Sequence, residues 1–313
     1  MRVVLAGGSG YLGDSIAASY LAQGSEVVVL TRGSTQSRAG DPPGLRRVAW
    51  DGRTQGAWRE ALEDADLVVN LAGERVAGSG LRYRWTEARK RLLISSRVEA
   101  GRALVAAIAA SSRRPRVFVQ ASGIDCYPSG EVVSTEGTRA GDGFLSRLVA
   151  DEWEPSTAGV ETLGLRRIVL RIGPVIGSGS PVLAPLAAQH RFLLGGPIGT
   201  GLQWFPWIAT EDLVGALRHL AARDDCAGAY NLVAPGILRN AELSRAIGRI
   251  MGKPSWLSTP GFALRLAFGQ MADTLLEGVR AVPKRLLESG YVFMRPDIDS
   301  ALMVALLGSQ HRE

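Results

Sequence analysis

Lysine is scarce in this chain of 313 residues. Of 36 basic residues only Lys90, Lys253 and Lys284 are lysines, and the rest are arginines. The surplus of arginine reads as codon usage in a GC-rich genome, but any mechanism that needs a lysine has three places to find one. Cysteine is scarcer still. Cys126 and Cys226 lie far apart with no CxxC and no histidine cluster near them, which excludes a zinc site and a disulfide framework. No apolar run approaches the roughly 20 residues that span a bilayer. The opening MRVVLAGGSG has one basic residue and a short apolar run broken by glycines. It predicts a buried strand entering a turn rather than a signal peptide, and hence a cytoplasmic protein without a membrane partner. A net charge of +6 raises the question of nucleic acid. The arginines are scattered, however, and their densest pairs (Arg46-Arg47, Arg113-Arg114, Arg166-Arg167) are isolated from each other. Without a basic stripe interleaved with aromatics, nucleic acid is not an expected partner.

What is present is an ordinary globular balance, 46% hydrophobic and 21% charged, in a chain long enough to bury a large core. Apolar runs at Val3–Ala6, Val27–Leu30, Arg47–Trp50, Leu67–Leu71, Val117–Ala121 and Leu165–Arg171 read as strands. Asp14–Gln23, Trp58–Glu63, Thr86–Ser111 and Phe144–Trp153 read as helices between them. Near-continuous hydrophobic strands alternating with helices predict an α/β, Rossmann-type doubly wound parallel sheet. After Arg171 the character changes. Gly173–Gly201 is rich in Gly and Pro, Glu211–Ala222 looks helical, and Ala229–Val233 reads as one more strand. We expect a nucleotide-binding domain over 1–173, with 207–234 returning to it. A smaller, mainly helical substrate lobe is expected over 174–206 and 235–313.

Gly7-Gly8-Ser9-Gly10-Tyr11-Leu12-Gly13 directly follows the first strand and opens the first helix. Glycines at 7, 10 and 13 allow a tight turn, close approach to a pyrophosphate and tight helix packing. With its strand–turn–helix context the motif predicts dinucleotide binding. The second strand ends in Thr31-Arg32-Gly33-Ser34. The acid that would hold an NAD ribose is missing, and the guanidinium of Arg32 suits a 2′-phosphate, so NADP(H) is the expected cofactor. Leu71, Ala72 and Gly73, closing the fourth strand behind Asn70, and Trp50, closing the third, complete this part of the expected cofactor set.

These residues together resemble the extended short-chain dehydrogenase/reductase (SDR) superfamily. Arg84-Trp85-Thr86-Glu87-Ala88-Arg89-Lys90 with Ser96-Arg97 is similar to one atypical branch, the epimerase family with an NAD-dependent epimerase/dehydratase-like domain and a distinct C-terminal domain. Trp153-Glu154, Leu194–Gly201, Gln203–Ile208 and Pro260–Leu287 continue the resemblance over essentially the whole chain. It implies NADP(H) binding, with Ala121, Ser122, Gly173, Pro174 and Val175 also lining the cofactor. It further implies a small-molecule substrate met by Arg84, Trp85, Leu202, Gln203 and Trp204, with helix packing over the sheet edge the competing reading of Arg84 and Trp85. Monomer and homodimer both stay open.

The superfamily's usual carbonyl chemistry uses a Tyr-x-x-x-Lys pair. No tyrosine here has a lysine four residues later, so that mechanism is excluded. Gly123 stands where the superfamily keeps a catalytic Ser or Thr, and Asp125 replaces a family glycine. Asp125 and Tyr127 are therefore the candidate catalytic residues, with Asp125 a carboxyl whose proton affinity a partly apolar pocket would raise. A loop-capping role for Asp125 is the competing reading. A family arginine has become Leu202 and a family histidine Ala209, which suggests a less polar substrate. His190, His219 and His311 match no catalytic position and read as structural or surface residues. Three functions follow: an NADP(H)-dependent oxidoreductase, a cofactor-retaining epimerase, dehydratase or cyclase using Asp125, and an NADP(H)-binding pseudoenzyme with a regulatory or scaffold role.

Overall fold

Seven strands form one parallel sheet in a computed structural model that describes residues 1–33, 35, 41–76 and 84–308. They are β1 (Arg2–Ala6), β2 (Glu26–Thr31), β3 (Leu45–Ala49), β4 (Leu67–Asn70), β5 (Val117–Gly123), β6 (Arg166–Ile172) and β7 (Gly228–Leu232). Their order is β7-β6-β5-β4-β1-β2-β3, with every pairing parallel. The order reverses at β1, between β4 and β2, which makes a crevice beyond the strands' carboxyl ends.

The sheet is apolar on both faces because each face carries a helix layer. Val3, Leu5, Val27 and Val29 pack against Ile16 and Tyr20 of α1 (Tyr11–Leu21) and Leu213 and Leu217 of the helix Thr210–Ala222. Val4, Val28, Leu30 and Phe118 pack on the other side against Ala100, Leu104 and Ile108 of α2 (Glu87–Ala110). Thr86 caps α2, its hydroxyl accepting from the Arg89 amide at 3.2 Å.

Two expected helices differ in kind. Trp58–Glu63 is a 3-10 helix over Ala57–Leu62. Phe144–Trp153 begins as α3 (Phe144–Arg147) and widens into a π-helical turn over Leu148–Trp153. The remaining helices gather beside the sheet. Helices Leu183–Arg191, Asn240–Met251 and Ile298–Leu307 pack around Trp207, Leu238, Leu243, Ile247 and Leu302, a separate apolar cluster. Asp212 ties the segment at Tyr291–Arg295 to the sheet layer. This fully buried carboxylate accepts from the Tyr291 hydroxyl at 3.0 Å and from the amides of Met294 at 2.7 Å and Arg295 at 2.9 Å.

Candidate active site

Gly7 stands at the end of β1 with a φ of +74°, which favours glycine, and its amide donates to Leu30 O at 3.0 Å. A Cβ there would lie 2.8 Å from the Ala72 Cα, so the ends of β1 and β4 are in main-chain contact. Gly13 packs the first turn of α1 onto the loop, since a Cβ would fall 2.2 Å from Gly8 O. Gly10 differs. It is the N-cap of α1, and a Cβ there would meet nothing within 4 Å. The helix start thus opens on space, with unpaired N–H groups facing it.

Tyr11 closes one side of this loop through a 2.6 Å hydrogen bond with Thr210, while Leu12 packs into the core. At the end of β2 the Thr31 hydroxyl accepts from the Gly33 amide at 3.0 Å. Arg32 remains largely exposed and meets Glu74 at 3.8 Å. Trp50 lies just past β3, buried against Trp58, with its indole N–H unpartnered. Leu71, Ala72 and Gly73 follow β4, their turn fixed by Leu71 N to Ala6 O and Ala72 N to Asn70 Oδ1. A dinucleotide fits these residues: an open helix start for a diphosphate, an exposed guanidinium for a further phosphate, and an unused indole donor beside them. Ser34 lies outside the described residues.

The β5 end separates the two catalytic candidates. Asp125 is accessible to solvent, while protein crowds it on its other sides. This desolvation raises the proton affinity of its carboxyl, and a hydrogen bond from its own main chain, then the charge of Arg97, oppose the rise. Tyr127 is a correction to the sequence reading. It is buried, its hydroxyl donating to Asn231 Oδ1 at 2.7 Å and accepting from Arg171 Nη1 at 2.8 Å. Burial drives its pKa up, so it is neither exposed nor poised to exchange a proton. Ser122 is buried too, its hydroxyl donating to Glu154 at 2.7 Å. Glu154 also takes both arms of Arg171 at 2.9 Å. Ser122, Tyr127, Glu154, Arg171 and Asn231 form one polar network tying β5, β6 and β7 together under the site.

Ala121 is buried in β5. Gly173 is pressed by the chain at Pro206, where a Cβ would come 2.4 Å from the carbonyl oxygen. Pro174 and Val175 follow, with Val175 paired in parallel to Ile208.

The expected substrate residues divide. Arg84 caps the helix Gly261–Phe268, donating to Ala267 O at 3.3 Å and to Leu266 O, which is a structural role. Trp85 packs edge-on against Phe144, their centroids 5.3 Å apart, and donates to Val76 O. Leu202, Gln203 and Trp204 do come together, on an open cleft of about 300 Å³ with Ser129–Glu131, Arg239 and Leu276–Gly278. Arg239 and Arg280 lie over the Trp204 ring at 3.9 and 4.6 Å, and Glu131 accepts from its indole. Ala209 is fully buried in an apolar cluster with Trp207 and Leu243 and is not among the residues lining this cleft. His190 and His219 sit against main-chain carbonyls of Ser244 and Ser289, as structural residues do. His311 lies outside the described residues.

Arg97, which lies in the Ser96-Arg97 string of the family resemblance, is a further residue at this site. Arg97 is buried, stacked on Trp153 at 4.6 Å, with its Nε unpartnered. Burial pushes its pKa down to about 10, with Asp125 and then Glu74 opposing. Its place on the apolar stripe of α2, four positions after Leu93 and seven before Leu104, is the signal the sequence carries.

Residues 3–232 match the NAD dependent epimerase/dehydratase family. The chain belongs to that family. Residues 259–304 match a domain of unknown function, DUF1731, so a distinct C-terminal unit accompanies the nucleotide fold, as in the atypical extended SDR branch. Epimerase family protein SDR39U1 of Bos taurus is 36% identical over 306 residues, covering 96% of this chain and 98% of that protein. Epimerase family protein YfhF of Bacillus subtilis is 32% identical over 304 residues, covering 96% and 97%. The crystal structure of human SDR39U1 (isoform 2) with NADPH superposes with a TM-score of 0.85 at 32% identity, covering 97% of this chain and 99% of that one. Among the described residues no helix is long and apolar enough to cross a membrane.

Proposed function

We propose that this family member is an NADP(H)-dependent oxidoreductase that works without a Tyr-x-x-x-Lys pair, on a small, fairly apolar substrate. The observation that carries the reading is the open helix start at Gly10 combined with exposed Arg32 at the end of β2. The human relative crystallised with NADPH supports it. The Gly7–Gly13 main chain would hold the diphosphate, with Ser9, Tyr11 and Leu12 shaping the loop. Thr31 and Arg32 would meet the 2′-phosphate, and Trp50, Leu71–Gly73 and Ala121 would wall the adenosine side. Gly173, Pro174 and Val175 would lie under the nicotinamide. NADPH, when bound, supplies a hydride. Asp125, held more readily neutral by the protein crowded around its carboxyl, would give the accompanying proton to the substrate and recover it from water through the crevice.

The same carboxyl favours a second reading. A group that exchanges protons inside a cofactor-binding crevice also serves an epimerase, dehydratase or cyclase whose net reaction is not redox. Localisation in the cytoplasm belongs with these proposals.

Arg32→Ala is expected to weaken NADPH about 10- to 100-fold, the loss of charge-assisted bonds, and NADH hardly at all. Titration of each nucleotide by fluorescence or calorimetry measures it; equal losses for both would sink the 2′-phosphate assignment. A panel of carbonyls, enones and quinones then tests turnover. If Asp125→Asn leaves a detected activity unchanged, Asp125 is not the proton carrier. Tight NADPH binding with no turnover across the panel favours a chain that binds without catalysing.

A further inference from the structure

The helix Leu183–Arg191 ends on a residue that its backbone disfavours. The Leu193 amide donates to His190 O at 3.0 Å and the Leu194 amide to Gln189 O at 2.9 Å, the pair of bonds that closes a helix where the chain turns left-handed. The left-handed residue is Leu193, with a φ of +61°, where glycine or asparagine is the usual occupant. Packing within the chain does little to offset that strain, since Leu193 is half exposed, as Leu194 is, and Phe192 is 76% exposed. The loop that follows is bonded to a second exposed segment. The amides of Trp256 and Leu257 both donate to Gly195 O at 3.0 Å, and the Thr259 amide donates to Pro197 O at 2.9 Å. The Leu276 side chain bridges from that loop to the helix Gly261–Phe268, because a Cβ on Gly199 or Gly261 would lie 2.8 or 3.2 Å from it. None of that helix's eight residues is buried. Phe262 and Leu266, one turn apart on one side of it, are 76% and 73% exposed, and Trp256 is 72% exposed. Three aromatic rings and three leucines thus stand uncovered on adjoining segments.

We propose that this surface, centred on Leu193, is where two copies of the chain pack together as a symmetric dimer. The area suits a second copy. A whole aromatic side chain offers about 150–250 Å², so three rings left about three-quarters exposed supply roughly 400 Å². The three leucines bring the surface close to the ~800 Å² that each partner of a stable complex contributes. The charge at its border suits a protein better than a bilayer. Arg265 is paired with Asp273 at 3.2 Å, which leaves Arg191 and Lys253, fewer than the about 4–8 basic residues of a bilayer-binding cluster. Contact with the partner copy desolvates Leu193, and that burial offsets its left-handed backbone. The interface uses none of the residues assigned to nucleotide or to proton transfer, so it stands or falls apart from the proposed reaction.

Sedimentation velocity of the full chain over a dilution series tests the dimer. The wild-type chain is expected at twice the mass of one copy at the concentrated end, dissociating on dilution. Phe192→Glu and Trp256→Glu, both at exposed positions that a single copy tolerates, are expected to raise the dissociation constant at least about tenfold. Leu193→Gly removes the strain and the side chain together. It is expected to weaken the dimer without lowering the melting temperature of the dilute, monomeric protein. A leucine serving only its own chain would do the reverse, losing monomer stability with association intact, and that result overturns the proposal. So does a wild-type chain still monomeric at about 0.1 mM, or glutamate variants that associate as tightly as wild type. A monomer that instead sediments with vesicles of phosphatidylcholine and phosphatidylserine also overturns it, and assigns the surface to a bilayer.

Discussion

The hydroxyl of Tyr127 and the carboxyl of Asp125 are two residues apart in sequence and belong to different environments. Tyr127 is a bolt between β5 and β7. Tyr127→Phe is expected to destabilise the fold by about 1–3 kcal/mol, because Asn231 and Arg171 each lose a buried partner. Urea unfolding measures that, and nucleotide affinity should be unchanged. Asp125 instead gives a pH signature. Its folded-state pKa is raised above the ordinary 3.8, so the folded chain holds that proton more tightly than the unfolded chain. The contribution to stability is full below the ordinary value and is lost as pH rises through the raised one. Measured against Asp125→Asn, wild-type stability should therefore decline as pH increases from about 4, and a flat difference would contradict the raised pKa.

At the scale of the element, the glycine loop shows that one motif contains two kinds of glycine. Gly13→Ala places a methyl 2.2 Å from Gly8 O, so the loop and α1 must part, and a cooperative loss of stability is expected in thermal unfolding. Gly10→Ala meets no protein atom within 4 Å, so the fold should survive with at most the small cost of losing an N-cap glycine. Its methyl would instead occupy the diphosphate's space and weaken NADPH by at least tenfold, which nucleotide titration would reveal. The motif was fully legible in the sequence. Which glycine serves packing and which serves ligand was not, because that depends on what stands opposite each Cα. The helix Phe144–Trp153 teaches a similar lesson. Its apolar pattern was readable, but its widening at Leu148 was not, since a π turn is set by the packing of Leu148, Val149 and Trp153 rather than by their propensities.

For the molecule as a whole, the C-terminal lobe is attached by polar contacts as well as by its core. Asp212 accepts three hydrogen bonds from the segment at Tyr291–Arg295 and is fully buried. Asp212→Ala should cost about 3 kcal/mol or more, since two amides and a phenol lose their acceptor inside the protein. Limited proteolysis should then cut first within residues 291–308, and an unchanged cleavage pattern would show that the lobe is held otherwise. Read along the chain, the residues already specify the parallel sheet, the glycine loop, the arginine after β2 and the absence of a Tyr-x-x-x-Lys pair. Each of these is a local fact, carried by periodicity or spacing along a few residues. What stands opposite each side chain came from the folded chain: Tyr127 and Ser122 face inward, Ala209 is core, and Arg97 is buried beside Trp153. Those outcomes depend on which strand ends lie side by side, and the β4–β5 pairing that joins them spans a whole helix of intervening chain.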